Sequence, residues 1–326
     1  MKTALIILLS SVAFILLTVI AAGYYMYRFA VVKSRKYVNA WESGRTNHSW
    51  VPEEVKAEIM RGDEYLRAKT LERVEITSFD GLRLVGHVLD REAPAGVVIL
   101  VHGYRSCSAS DFGGAFEMYD RAGFAIILID HRAHGYSEGK HIGFGVLERY
   151  DIVDWAKYVE QRWQGVPLVL DGVSMGASVV MMGAEIGYPD NVKAIIADCG
   201  YTTPDRIAKK VLRQWFRLPP FPLYPIARAF IKLFAGYDIE GASSLKALEH
   251  VKEKNIGILI AHGKADDFVP YEMSEDNMAV LEGYDRAELF TSEKAGHGLS
   301  FLYNKEEYVE AIKRLFERAG IEFSER

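Results

Sequence analysis

Cysteine is almost missing from this chain: Cys107 and Cys199 are its two, in 326 residues, and neither belongs to a CxxC pair. That excludes a disulfide framework and a thiolate-rich metal site, and the two thiols read as small apolar side chains beside a core. An excess of charge of one sign is missing too. Lys and Arg total 39 against 44 Asp and Glu, a net charge of -5, so no basic field exists to hold a nucleic-acid backbone. No nucleic-acid partner is expected. Internal repeats and low-complexity tracts are absent, and hydrophobic residues at 49% with charged residues at 25% rule out disorder as the default reading.

The next shortage is local. Thr3 to Ala22 contains no charged residue and is dense in Leu, Ile, Val, Ala and Phe. About 20 such residues are what a helix needs to cross a bilayer. Tyr24, Tyr25 and Tyr27 follow, where aromatic side chains favour the water–lipid boundary. A cleaved signal peptide competes with this reading, but its apolar part would be unusually long and its small-residue exit is confined to Ala21-Ala22-Gly23. An uncleaved single-pass anchor over residues 1–27, in the cell membrane, is the expectation. Lys2 lies before the span and Arg28, Lys33, Arg35 and Lys36 after it, so the rest of the chain is expected on the cytoplasmic side. Residues 28–70 lack strand-like runs; Val51-Pro52-Glu53-Glu54 reads as a helix start, and the segment as a helical linker.

From residue 71 a strand–helix alternation begins. Val74–Phe79 and Leu82–Leu89 read as a hairpin around Asp80-Gly81. Apolar runs at Gly96–Val101, Ala125–Ile129, Pro167–Leu170, Lys193–Ala197 and Ile256–Ala261 read as buried strands, with a last one near Ala287–Thr291. Helical patterns separate most of them, at Gly114–Ala122, Tyr150–Gln161, Ala177–Ile186 and Met273–Leu281. The expected architecture is α/β, a mainly parallel sheet of about eight strands covered by helices, over residues 71–326. Thr203 to about Lys246 breaks the alternation. There Ile207, Val211, Leu212 and Trp215 share one helical face opposite Arg and Lys residues, prolines at 219, 220 and 222 interrupt, and a second helix is expected from Pro225 to Phe234. The stretch, about residues 203–246, has the look of a lid. Trp215, Phe216 and Phe221 either contact substrate or simply pack over the sheet.

Chemistry concentrates at strand ends. Gly172-Val173-Ser174-Met175-Gly176 lies between a strand and a helix, the setting of a strained nucleophile elbow. A serine hydroxyl needs a base, expected late in the chain after a carboxylate; Ala295-Gly296-His297-Gly298 supplies one, with His262 as a rival. The acid falls in His262–Pro270, where Asp266 and Asp267 both qualify chemically. His102, His131 and His134 read as parts of polar turns, because no carboxylate stands at metal-ligand spacing beside them.

These motifs resemble the α/β-hydrolase superfamily, which carries HG after its third strand, GxSxG, HGxxDxxVP and a late GH. Here these are His102-Gly103, Gly172–Gly176, His262–Pro270 and Gly296-His297, joined by a DxRxHGxS-like loop from Asp130 to Ser137. The resemblance runs from about Glu72 to the C-terminus. It implies the α/β-hydrolase fold with a helical lid, a triad of Ser174, Asp266 and His297, and an oxyanion hole from the backbone N–H groups of Tyr104 and Met175. It also implies a membrane-associated serine esterase, acting on carboxylic esters, thioesters or acyl lipids, without cofactor or metal. Two other readings remain beside it: an aminopeptidase-like amide hydrolase, and a non-catalytic binding domain at the membrane.

Overall fold

Residues 1–33 and 51–324 are described by the structure, a computed structural model. The first helix, α1 (Lys2–Val31), runs four residues beyond the expected end of the anchor. It is long and apolar enough to cross a membrane, and the side chains of its apolar stretch are not buried against the rest of the chain. The expected linker is described from residue 51 onward; Arg35, Lys36 and its other residues from 34 to 50 lie outside the described part. Helix α2 (Glu53–Arg67) starts beside Pro52 with Glu53 and Glu54 in its first turn, as the sequence predicts.

Eight strands follow: β1 (Glu72–Thr77), β2 (Arg83–Leu89), β3 (Val97–Val101), β4 (Ala125–Ile129), β5 (Leu168–Val173), β6 (Val192–Asp198), β7 (Gly257–Gly263) and β8 (Ala287–Ser292). They form one sheet in the order β1-β2-β4-β3-β5-β6-β7-β8. Strand β2 runs antiparallel to β1 and β4, and the remaining pairs are parallel. The apolar runs alternate faces, as the two-residue strand period demands. Val97, Ile99 and Val101 join one core with Trp155 and Val179, while Val98 and Leu100 join the other with Phe116 and Phe316. Both faces of the sheet are thereby covered, which is why its central strands carry no alternation of polar residues.

The covering helices are α3 (Ser108–Arg121), α4 (Glu148–Arg162) and α5 (Met175–Met182), then α6 (Pro204–Gln214), α7 (Pro220–Phe230) and α8 (Ser244–Glu253), and last α9 (Glu272–Val280), α10 (Ser300–Tyr303) and α11 (Lys305–Ala319). Helix α3 begins six residues before the expected Gly114, because the Ser108 hydroxyl is tied to the carbonyls of Leu100 and Ile129 at the ends of β3 and β4. Helices α8 and α11 add to those expected; α11 buries Tyr308, Ile312 and Leu315 at helical spacing. Between β6 and β7 the chain forms no strand. Residues 215–219 separate α6 from α7, which is capped by Pro219, opens at Pro220 rather than at the expected Pro225, and ends in a π turn at Ile231–Ala235. Helix α7 packs against the C-terminal part of α1.

Candidate active site

Strands β3 and β5 are neighbours, with Val101 opposite Gly172, so the loops that leave them emerge side by side. The β5 loop is a single residue: Ser174 stands between β5 and α5 with φ 58 and ψ -115. A non-glycine residue held there stores about 1–3 kcal/mol of strain, which the surrounding packing must hold in place. That packing admits no side chains at the flanking glycines. A Cβ on Gly176 would lie 1.9 Å from the Val101 carbonyl oxygen, and one on Gly172 would lie 2.5 Å from the Gly176 backbone. The Ser174 amide donates to the Asp198 carbonyl at 2.8 Å, pinning the turn to β6.

Three side chains far apart in the sequence meet at this turn. The Ser174 hydroxyl lies 2.8 Å from His297 Nε2, and His297 Nδ1 lies 2.7 Å from Asp266 Oδ2. A carboxylate can only accept, so Nδ1 carries the ring proton and Nε2 offers its lone pair to the serine O–H. Asp266 accepts three further hydrogen bonds: from the Phe268 and Val269 amides on Oδ1, and from His262 Nε2 on Oδ2 at 3.1 Å. Burial raises the Asp266 carboxyl, but the hydrogen bonds from His262 and His297 outweigh it and hold the group well below the usual carboxylate range. Asp267, the chemical alternative, is exposed, and its carbonyl oxygen accepts from Lys210 Nζ of α6.

His262 is fully buried and lies away from the serine. Its Nε2 faces two acceptors, Asp266 and the Val269 carbonyl, so it donates there, and its Nδ1 pairs with the Ser274 hydroxyl. His262 is thus a second hydrogen-bond partner of the Asp266 carboxylate, beside His297. Sequence spacing hid this role, because His262 and Asp266 meet across a loop rather than along a helix.

The loop after β3 carries Tyr104 against the serine. Gly103 packs there closely: a Cβ on it would lie 3.4 Å from Ser174 Cβ, in van der Waals contact. The Gly103 amide donates to Asp111 Oδ2 at 2.8 Å, and the Arg105 amide donates to His134 Nε2 at 3.0 Å, so the residues on both sides of Tyr104 are fixed. Met175 opens α5, where the helix dipole favours negative charge. The sequence assigns Asp111 no role and reads His134 as part of a polar turn; their grip on the Gly103 and Arg105 amides emerges from the fold.

His102, His131 and His134 cluster with ring centroids 4.6–6.0 Å apart. Their nitrogens serve the backbone. His102 Nδ1 donates to the Gly103 carbonyl, its Nε2 accepts from the His131 amide, and His131 Nε2 donates to the His102 carbonyl. His134 Nδ1 donates to the Arg132 carbonyl. Burial pushes His102 down to about 4 and the other two well below the ordinary histidine value. In an unfolded chain a histidine takes up its proton near pH 6.5. Unfolding therefore gains a proton at His102 between about pH 6.5 and 4, and the stability this residue supports is lost as the pH falls through that range. A His102→Gln variant is expected to be clearly less stable than wild type at pH 7.5, with the gap in urea midpoint narrowing by pH 5.

Ligand atoms of Cys199, Asp266 and His297 lie within 4.8 Å of one another. Both nitrogens of His297 are already engaged, and burial drives the Cys199 thiol well up, so it stays protonated and is a poor ligand.

Ser174 and His297 open onto a cavity of about 1010 Å³, large for a small-molecule site. Trp215 and Phe216 of the insertion line it, while Phe221 does not: it is 78% exposed, turned outward by the extended backbone that the flanking prolines impose. The expectation that Phe221 borders the site is thereby corrected.

Comparisons with known proteins agree with this architecture. The family model described as serine aminopeptidase, S33, matches residues 92–232. An uncharacterised protein of Bacillus subtilis, YqkD, is 26% identical over 270 residues, 81% of this chain and 86% of its own. A monoacylglycerol lipase of Mycolicibacterium smegmatis is 30% identical over 120 residues, 36% of this chain and 42% of that protein. Among solved structures, an esterase of Pyrococcus furiosus superposes with a TM-score of 0.61 at 24% identity, covering 76% of this chain and 91% of the other. The sheet order, the serine at the turn after β5 and these similarities lead to one conclusion: the chain has the α/β-hydrolase fold.

Proposed function

We propose that this protein is a serine hydrolase that cleaves carboxylic esters through an acyl-enzyme on Ser174. The observation that carries the reading is the continuous hydrogen-bonded line from Asp266 through His297 to a strained, cavity-facing serine hydroxyl. His297 Nε2 takes the hydroxyl proton as Ser174 Oγ attacks the ester carbonyl carbon. The backbone N–H groups of Tyr104 and Met175 hold the resulting oxyanion, and Asp266 stabilises the charged imidazole. His297 then protonates the leaving alcohol as the carbon–oxygen bond breaks. A water, deprotonated by the same nitrogen, releases the carboxylic acid and restores the serine. Every step uses only groups of this chain.

Ester rather than amide chemistry is supported by the cavity walls. A site for a peptide amino terminus needs an acid facing the substrate. Of the four acids on the cavity wall, three are buried and engaged elsewhere: Asp111 accepts from Gly103 and Ser106, Asp171 from Tyr119, and Asp198 from Ser300; the fourth, Asp267, is exposed with the Lys210 ammonium beside it. The lipase and the esterase to which the chain is similar support the same reading, against the aminopeptidase description of the matched family model. In this reading residues 71–326 are the catalytic unit, residues 203–246 its lid, and α1 its anchor in the cell membrane, with the catalytic unit on the cytoplasmic side. Incubation of full-length protein with a fluorophosphonate probe is the direct test. Labelling that disappears in Ser174→Ala supports the proposal; an unlabelled, folded wild type would leave a binding domain instead.

A further inference from the structure

The end of α1 is part of the cavity. Met26, Phe29 and Ala30 line the same space as Ser174 and His297. This end is also firmly seated. The Ile142 amide donates to the Val31 carbonyl and the Lys33 amide to the Lys140 carbonyl, both at 2.8 Å, around a bridge between Val32 and His141. The Tyr27 hydroxyl lies 3.1 Å from His141 Nε2. Higher up, Gly23 lets α7 approach so closely that a Cβ there would lie 2.5 Å from Ile226 Cγ2. A flexible tether has no need of such contacts.

Two lines of side chains join this helix end to the reacting groups. The Tyr104 hydroxyl donates to the Ala30 carbonyl at 2.8 Å, which links α1 to a proposed oxyanion donor. Phe29 meets Phe216 edge to face; next to it in the chain, Trp215 packs on Phe268, which packs on His297. Ala30 stands six residues beyond Tyr24, about 9 Å along the helix, and Met26 lies between Tyr25 and Tyr27, so the cavity wall begins among the tyrosines at the expected membrane boundary. The insertion displays Trp215, Phe221, Leu233 and Phe234 as exposed large apolar side chains, and Phe234 meets Tyr24 edge-on and Tyr27 at a tilt.

We propose that the last two turns of α1 form the acyl-chain wall of the site, and that the substrate is a long-chain acyl ester resident in the bilayer. The ester slides along α1 into the cavity, its chain against Met26, Phe29 and Ala30 and its carbonyl at Ser174. This rests on the ester-hydrolase reading. The apolar cavity then accepts the chain without exposing it to water, so its passage from bilayer to site carries no hydration penalty.

The test uses full-length protein in phosphatidylcholine vesicles, with p-nitrophenyl butyrate and p-nitrophenyl palmitate as probes. Met26→Trp and Ala30→Trp, which fill the wall, are expected to lower kcat/KM for palmitate at least tenfold and for butyrate less than threefold. Leu16→Trp, on the exposed apolar part of the same helix, should alter neither. Because a tryptophan could unseat the helix, Met26→Ala supplies the opposite change: it enlarges the cavity and should raise the palmitate-to-butyrate ratio. A ratio unchanged in all three wall variants overturns the proposal, whether or not their overall rates fall. A wild type that hydrolyses neither ester and takes no fluorophosphonate overturns the ester-hydrolase reading itself, and the two failures are thus distinguishable.

Discussion

Ser174→Ala is expected to lower kcat for a turned-over ester by about 10⁴- to 10⁶-fold, with KM little changed. On the proposed mechanism no acyl-enzyme forms without the hydroxyl, and what remains is the proposed oxyanion donors acting on a water. His297→Ala should match it, and the double variant should be no worse than either alone, since the two residues act as one unit. Asp266→Asn acts differently. Asp266 Oδ1 accepts from the Phe268 and Val269 amides, so an asparagine keeps its oxygen there and turns its NH₂ toward His297 and His262. A donor facing Nδ1 forces the imidazole proton onto Nε2, where it can no longer accept from the serine. The folded protein then carries the wrong tautomer, with a loss of about 10⁴-fold in kcat, comparable to such a substitution in a serine protease. Stopped-flow measurement of the acylation burst checks all three, and a burst of full amplitude in Ser174→Ala would move the nucleophile elsewhere.

The elements legible in the sequence are those whose cause is local. A central strand buried on both faces must be apolar throughout, so β3 and β4 declare themselves. The elbow is legible because its pattern spans five positions and the clash that forbids a side chain at Gly172 is with Gly176 itself, though the one at Gly176 is with Val101 of β3. The hairpin at Asp80-Gly81 is similarly short-range. What the sequence hides depends on contacts between distant segments. Nothing in residues 23–33 records that they will meet residues 104, 141 and 226. His262 has the same flanking glycine as an oxyanion-loop histidine, and only the fold shows it gripping Asp266. The direction of Phe221 depends on how a proline-rich turn leaves α6, and an aromatic residue beside two others gives no hint of that. The acid was the intermediate case: chemistry allowed both Asp266 and Asp267, and the structure brings the first of them to His297.

Arg132 is where a chain motif and a stability prediction meet. It lies in the Asp130–Ser137 loop, buried, with Nε and Nη2 each 2.6 Å from Asp151 and with two further hydrogen bonds to Asp80 in the β1–β2 turn. Its guanidinium also covers the Phe79 ring at 5.0 Å. Arg132→Met removes one member of a buried pair and leaves Asp151 without a counter-charge, a change that costs about 3–5 kcal/mol. The sign of its pH dependence follows from the carboxyl. Burial drives Asp151 up and Arg132 pulls it back down. Without the arginine the folded-state value rises further above the unfolded one, so the folded variant holds a proton that the unfolded chain gives up near pH 4. The stability deficit must then grow as the pH is raised, being smaller at pH 5 than at pH 8 in urea titrations. Arg132→Met combined with Asp151→Leu removes the stranded charge and should recover most of the loss at pH 8. If the single and double variants are equally unstable there, the loop is held by its backbone contacts to His131 and His134 instead of by the ion pair. Because His134 also fixes the Arg105 amide beside Tyr104, the single variant should lose ester turnover at the temperature where this loop melts, below the temperature of global unfolding.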